Sequence, residues 1–321
     1  MEKPFIYVTR KVPEEALLPL MEIGEVEMWP HEMEPIPREI LIEKAKTATA
    51  LYTMLSDKID EKLLDQSPNL KVVSNMAVGF DNINIQAATE KGVVVCNTPD
   101  VLTDTTADLT FGLLMATARR IVEGAEYIKA GNWKNWAPML LAGTDIHHKT
   151  LGIIGMGRIG AAVAKRAKGF DMEILYHNRT HNSDAEKELG ATYVSFQHLL
   201  ERSDFVVCLA PLTEKTKEMF DIEAFKQMKN SSIFINASRG GLVNEDDLII
   251  ALSSKEIAAA GLDVFREEPI SNDHPLLGFS NVVALPHIGS ASVETRQEMA
   301  KLASRNIIDV LSGKKPEATV N

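Results

Sequence analysis

LGIIGMGRIGAAVAKRAKGF, residues 151–170, joins an apolar, strand-like run to a helix-like run through three glycines, Gly155, Gly157 and Gly160. In such a G-x-G-x-x-G turn the first glycine permits the tight bend and the second lets the backbone approach a pyrophosphate. The third lets helix pack on strand, and the helix N-terminus offers its N–H groups to an anion. The motif alone is weak. A strand before it and a helix after it point to a dinucleotide-binding loop, Gly155, Gly157, Arg158, Ile159 and Gly160, with a plain βα turn as the alternative. Arg158 adds a cation near the same phosphates.

The next strand-like run tests which dinucleotide. An NAD-binding protein usually ends it with an acid, about 20 residues on, that holds the ribose 2′-OH. Here the run reads ILYHNRT, residues 174–180, with no acid. A carboxylate would repel a 2′-phosphate, whereas a guanidinium binds phosphate oxygens through charge-assisted, often bidentate bonds. Arg179, flanked by Asn178 and Thr180, therefore predicts NADP(H) in preference to NAD(H); the alternative is one more solvated loop charge.

Outward from this loop, short apolar runs alternate with helix-like stretches along the chain. FIYVT (5–9), EVEMW (25–29), ATALYTM (48–54), KVVSNM (71–76) and GVVVC (92–96) precede the glycines. EILYHN, DFVVCLA, SSIFINAS, IAAAGLDV and NVVALPH follow them. Alternating strand and helix predicts βαβ units and two parallel sheets, each covered on both faces. TADLTFGLLMATARRIVEGAEYIKAG reads as one long linking helix ending at Gly131, and SVETRQEMAKLASRNIIDVLSG as a helix that returns to the first domain. The expected boundaries are 1–100 for the first part of one domain, 101–288 for the dinucleotide-binding domain, and 289–321 for the return. The stretch GNWKNWAPMLLAGTDIHHKT, residues 131–150, fits neither period, and long irregular segments are usually functional or contact a partner.

The bulk numbers narrow the function classes. The chain has 321 residues, 45% of them hydrophobic, and a net charge of -11. That length accommodates two domains. The acidic balance argues against a nucleic-acid or anionic-membrane surface, since both need clustered cations. Cys96 and Cys208 lie in apolar runs and read as buried thiols of a reducing cytoplasm. MEKPFIYVTR lacks a signal-peptide pattern, and no apolar run approaches the ~20 residues of a membrane span. His147 and His148 have no companion ligands at metal spacing, so no metal site is expected.

Three later segments each place a polar residue beside an apolar strand: INASRGGLVNEDDL, GLDVFREEPISNDHPL and NVVALPHIGSAS. Their order and spacing, with AVGFDNIN and GMGRIG before them, resemble the D-isomer-specific 2-hydroxyacid dehydrogenases over essentially the whole chain. TPDVLTDTTADL, the NRT ending and PHIGSAS are most similar to the glyoxylate/hydroxypyruvate reductase branch. The resemblance implies a Rossmann-type NAD(P)-binding domain beside a flavodoxin-like substrate domain. It also implies a catalytic Arg, Glu and His at Arg239, Glu268 and His287.

Elementary chemistry agrees with those three roles. A planar cation suits the carboxylate and carbonyl of a 2-oxo acid, which assigns Arg239. Histidine gives and takes a proton near neutral pH, which assigns His287. Glu268 then orients the imidazole and favours its charged form. The alternatives are local caps for Arg239 and His287 and a solvated acidic turn for Glu268.

By resemblance, Thr106, Pro211, Ala237 and Asp263 line the nicotinamide half of the cofactor, and Leu55, Val78, Gly79 and Ser290 meet the substrate. Residues 121–150 correspond to an arm that crosses a two-fold axis. Trp136 is thus expected to reach a neighbouring subunit in a homodimer, or, alternatively, to pack within its own. The expected activity is NADPH-preferring reduction of glyoxylate and hydroxypyruvate. A phosphoglycerate-type or D-lactate-type dehydrogenase and a dinucleotide-sensing corepressor or adaptor are the rivals.

Overall fold

The structure, a computed structural model, describes residues 3–321. The chain divides into two units, one formed by the chain up to Leu102 together with Ser292–Asn321, the other by Thr103–Ala291.

In the first unit strands and helices alternate: β1 (Phe5–Val8), α1 (Glu14–Ile23), β2 (Glu25–Met28), α2 (Arg38–Ala45), β3 (Ala50–Thr53), α3 (Glu61–Asp65), β4 (Val72–Asn75), α4 (Ile85–Glu90) and β5 (Val94–Cys96). The sheet order is β2-β1-β3-β4-β5, all parallel, which is the flavodoxin-like order. Central strands are buried throughout because helices cover both faces: every residue of β3 and β4 is buried, the polar Thr53, Ser74 and Asn75 included, while the edge strand β2 is not.

The second unit begins with α5 (Thr103–Ala118) and α6 (Ile121–Lys129), followed by an irregular stretch up to β6 (Thr150–Ile154). Then come α7 (Arg158–Lys168), β7 (Glu173–His177), α8 (Ser183–Leu189), β8 (Thr192–Tyr193), α9 (Phe196–Arg202) and β9 (Phe205–Cys208). α10 (Ile222–Gln227), β10 (Ile233–Asn236), α11 (Glu245–Ser254), β11 (Ala259–Leu262) and β12 (Val282–Ala284) complete it. The parallel order β12-β11-β10-β9-β6-β7-β8 reverses between β6 and β9, as in a Rossmann sheet. The period of two divides the core. Ile153, Tyr176, Val207 and Ile235 pack on the α5 and α7 side, and Ile154, Val206 and Phe234 on the α9 to α11 side.

The chain returns to the first unit through α12 (Val293–Leu311). Tyr52 and Ser74 donate their hydroxyls to the Ala300 and Ala303 carbonyls, at 3.1 and 2.8 Å, tying β3 and β4 to that helix.

Two elements differ from the sequence reading. The expected single helix to Gly131 breaks after Ala118, where Arg120 takes a left-handed φ of 52°. The cause is tertiary: the Thr144 N–H occupies the Ala118 carbonyl at 2.8 Å, and Gly143 lies so close that a Cβ there would sit 2.2 Å from the same oxygen. The two-residue edge strand β8 is the other, too short to show a period.

Candidate active site

Six segments leave the C-terminal ends of the second sheet's strands: Gly155 after β6, Asn178 after β7, Pro211 after β9, Ala237 after β10, Asp263 after β11 and His287 beyond β12. In open α/β sheets this edge, at the reversal of strand order, is where ligands bind.

The glycine loop has the form a pyrophosphate needs. Gly155 has φ +100°, and a Cβ on it would lie 2.5 Å from the Leu209 carbonyl carbon, so the loop rests directly on the strand across the reversal point. A Cβ on Gly160 would lie 2.3 Å from the Gly155 oxygen, whereas the space beside Gly157 is open. The first and third glycines are thus consumed by packing, and the second leaves an approach to the start of α7, whose N-cap, Gly157, makes no side-chain cap. Arg158 is exposed and Ile159 half-buried on the first turn.

Asn178, expected to face a phosphate, is instead committed to this loop. Its Oδ1 accepts the Met156 N–H at 2.7 Å and its Nδ2 donates to the Met156 carbonyl at 3.3 Å. Asn182, for which the sequence reading has no role, donates to the same carbonyl at 2.9 Å while its Oδ1 caps α8. Arg179 and Thr180 are left exposed between these two clamps. The neighbouring carboxylate, Glu186, accepts the Tyr176 hydroxyl at 2.6 Å and lies 3.0 Å from His181 Nδ1.

At the other end of the sheet edge, His287 Nδ1 lies 2.6 Å from Glu268 Oε2, with side chains 25% and 29% exposed. The other Glu268 oxygen accepts the Phe265 N–H at 2.9 Å. Burial alone would raise the Glu268 carboxyl. The hydrogen bond and charge of His287, the Phe265 N–H and the charge of Arg239 together hold it below its ordinary value. Arg239 stands in extended backbone ahead of a short 3₁₀ turn, Gly240–Leu242, its Nη1 donating to the Ser238 carbonyl at 2.8 Å. Ser238 in turn donates its hydroxyl to the Ala210 carbonyl at 2.5 Å, tying the turn after β10 to the one after β9.

His287 has φ +54°, a region that a branched or ring-bearing residue enters at a cost. Asp263 holds it there. The His287 N–H donates to the Asp263 carbonyl at 2.9 Å, and the two Asp263 carboxylate oxygens accept the Ile288 and Gly289 N–H groups, each at 2.8 Å. Burial is the main influence on this carboxyl and raises it, with the two N–H bonds and His287 opposing. Asp263, expected along the nicotinamide half of the cofactor, is thus the clamp of the His287 turn. Thr106 packs beside it, its methyl 3.4 Å from where a Gly289 Cβ would stand, and Ser290 follows, half-buried.

In the first unit, Asn97 donates to the Val78 carbonyl at 2.8 Å and Asn75 to that of Gly79 at 3.0 Å. Carbonyl and N–H point opposite ways across a planar trans peptide. The Gly79 and Phe80 N–H groups therefore face away from both amides; Phe80 is a donor the sequence reading lacks. Leu55 lies after β3 on a loop anchored by buried Asp57, which accepts the Met54 N–H at 2.7 Å. Trp136 is 74% exposed, and α6 buries none of its residues. Among the described residues no group of three or more His, Cys, Asp or Glu is placed to hold a metal, and no helix is long and apolar enough to cross a membrane.

Residues 111–289 match the model of the D-isomer specific 2-hydroxyacid dehydrogenase NAD binding domain. The chain is 49% identical over 323 aligned positions to a glyoxylate reductase of Pyrococcus furiosus, covering 99% of this chain and 96% of that one. A glyoxylate reductase structure from Paecilomyes thermophila superposes with a TM-score of 0.90 at 30% identity, covering 100% and 99% of the two chains. An NADPH-dependent glyoxylate/hydroxypyruvate reductase from Sinorhizobium meliloti, solved with NADP and malonate, gives 0.85 at 32% identity, covering 99% and 97%. With its flavodoxin-like and Rossmann sheets, its glycine loop and its histidine–glutamate pair, the chain belongs to the D-isomer specific 2-hydroxyacid dehydrogenases, oxidoreductases acting on a CH–OH group.

Proposed function

We propose that the protein reduces small 2-oxo acids, glyoxylate and hydroxypyruvate foremost, to (D)-2-hydroxy acids, using NADPH in preference to NADH, as a cytoplasmic homodimer. The observation that carries the chemistry is the His287–Glu268 pair on a turn clamped by Asp263.

Gly155, Gly157, Arg158, Ile159 and Gly160 bind the pyrophosphate, Arg179 and Thr180 the 2′-phosphate, and Thr106, Pro211, Ala237 and Asp263 the nicotinamide end. When bound, that ring supplies the hydride. Arg239 binds the substrate carboxylate and the carbonyl oxygen on which charge develops. Glu268 faces His287 Nδ1, so the transferable proton sits on Nε2, from which it neutralises the new alkoxide. Ionised Glu268 stabilises the imidazolium and fixes the ring. In the first unit the turn Val78, Gly79 and Phe80 offers backbone donors suited to a carboxylate.

For the cofactor, support comes from the absence of an acid at residues 174–180 and from Glu186 being engaged by Tyr176 and His181. For the dimer it comes from the arm: Ile121, Val122, Ile128, Trp133, Trp136 and Met139 are all exposed. Apolar surface of that kind is usually covered by a partner. A kcat/KM panel of glyoxylate, hydroxypyruvate, pyruvate and phosphohydroxypyruvate with NADPH and NADH tests the reading. Highest values for glyoxylate or hydroxypyruvate with NADPH are expected; a preference for either other acid, or for NADH, overturns the corresponding part.

A further inference from the structure

A second histidine–glutamate pair lies behind the first. Glu245, the first residue of α11, is 5% exposed. Its Oε1 accepts the Arg266 N–H at 2.5 Å, and its Oε2 lies 3.4 Å from His274 Nε2. His274 Nδ1 accepts the Leu276 N–H at 3.3 Å, so the ring carries its proton on Nε2, toward Glu245. The same ring meets Phe265 edge-on, with centroids 6.1 Å apart.

Helix formation does not account for this buried acid. Asn244 already caps α11 by accepting the Asp247 N–H, and Asp246 and Asp247 already place negative charge in its first turn. Burying a carboxylate is costly unless its hydrogen bonds are made, so a residue held this way has an organising role to explain. The partners identify it. Phe265 and Arg266 are consecutive: the N–H of the first goes to Glu268 and the N–H of the second to Glu245. Gly240, next to Arg239, presses on the same peptide, where its Cβ would lie 1.9 Å from the Phe265 oxygen.

We propose that Glu245 and His274 are positioning residues for the reduction: they fix the Phe265–Arg266 segment and thereby aim the Glu268 carboxylate at His287, without touching substrate or cofactor. The proposal rests on the catalytic reading of Glu268 above. Misplacing a catalytic group by about 1 Å can cost roughly 100-fold in rate. Glu245→Ala and His274→Phe, the latter keeping the ring against Phe265, are therefore expected to lower kcat by about 10- to 100-fold, with NADPH affinity unchanged.

The deciding measurement is a double-mutant cycle with Glu268→Gln, assayed with glyoxylate and NADPH well below the melting temperature of every variant. Glu245→Ala in the Glu268→Gln background is expected to cost less than twofold, since the group it positions is already altered. Equal fold-losses in both backgrounds overturn the proposal, as does a variant with lowered melting temperature but unchanged kcat. Should Glu245→Ala not fold, Glu245→Gln replaces it, its amide setting a donor against His274 Nε2–H while keeping an acceptor for Arg266. Failure of the catalytic reading is separately visible as a normal kcat in Glu268→Gln itself.

Discussion

Asp263 and His287 are joined through the main chain, the His287 N–H donating to the Asp263 carbonyl at 2.9 Å while the Asp263 carboxylate takes the next two N–H groups. Protonating that carboxylate turns one acceptor into a hydroxyl facing a donor. Burial raises the Asp263 carboxyl above the ordinary aspartate range, so this clamp is lost at a higher pH than for an ordinary aspartate, while, against burial, His287, the Phe265 N–H and Arg239 hold Glu268 below the ordinary glutamate range. An acid limb of kcat for reduction should therefore include the protonation of Asp263. Asp263→Asn is expected to lose that limb along with most of the activity; an unmoved limb in this variant assigns it elsewhere.

His287→Ala should lower kcat by about 10²- to 10⁴-fold, the usual share of a general acid, with little change in NADPH affinity. Arg239→Ala should lower kcat and raise the KM for the oxo acid together. Steady-state kinetics at saturating NADPH separate the two, and a near-normal kcat in His287→Ala removes it as the proton donor.

Gly240→Ala places a methyl group where backbone already stands, 1.8 Å from the Phe265 carbonyl carbon. The Phe265 segment must move, and with it the N–H that Glu268 accepts. Lower kcat at unchanged NADPH affinity, with a lower melting temperature, is the expected pair of results. Wild-type kinetics would show that the segment gives way harmlessly.

Arg179→Asp removes a cation and adds a repulsive charge where we place the 2′-phosphate. Hydrogen bonds to charged groups contribute about 1.5–3 kcal/mol, so the NADPH/NADH ratio of kcat/KM should fall by at least roughly 10-fold. Asn178→Ala acts differently: it frees the Met156 peptide of the glycine loop and should weaken both dinucleotides alike. A selective loss of NADPH in Asn178→Ala contradicts that division of labour.

Sedimentation velocity should give a species of twice the 35.4 kDa chain mass, and Trp136→Ala should weaken that association or alter substrate preference. A wild-type monomer, or a variant unchanged in both respects, removes the arm from the interface.

How much of this was legible in the sequence follows from what each feature depends on. Runs such as FIYVT and DFVVCLA declare themselves because a strand covered on both faces is mostly apolar. The glycine loop is legible for the same local reason, since Gly155 and Gly160 admit no side chain. The break after Ala118 is not, because ATARRIV contains no breaker and the carbonyl is claimed by Thr144, well along the chain. At the site, the resemblance put roles on Arg239, Glu268 and His287, and residue type agreed with them. Type alone did not show that Asn178 is spent on Met156, or that Glu245 turns inward when Asp246 beside it does not. Those outcomes depend on which backbone groups the fold leaves unmet.

The split make-up of the first unit bears on synthesis. Thr103–Ala291 is one continuous segment and contains every strand of its own sheet, so it can fold as soon as it has left the ribosome. The unit translated first must wait: Tyr52 and Ser74 on its central strands find their acceptors only when Ala300 and Ala303 emerge. The order of translation is thus the reverse of the order of completion, and a nascent chain stalled before α12 holds a finished nucleotide-binding half and a first sheet whose β3 and β4 still lack the helix that packs on them.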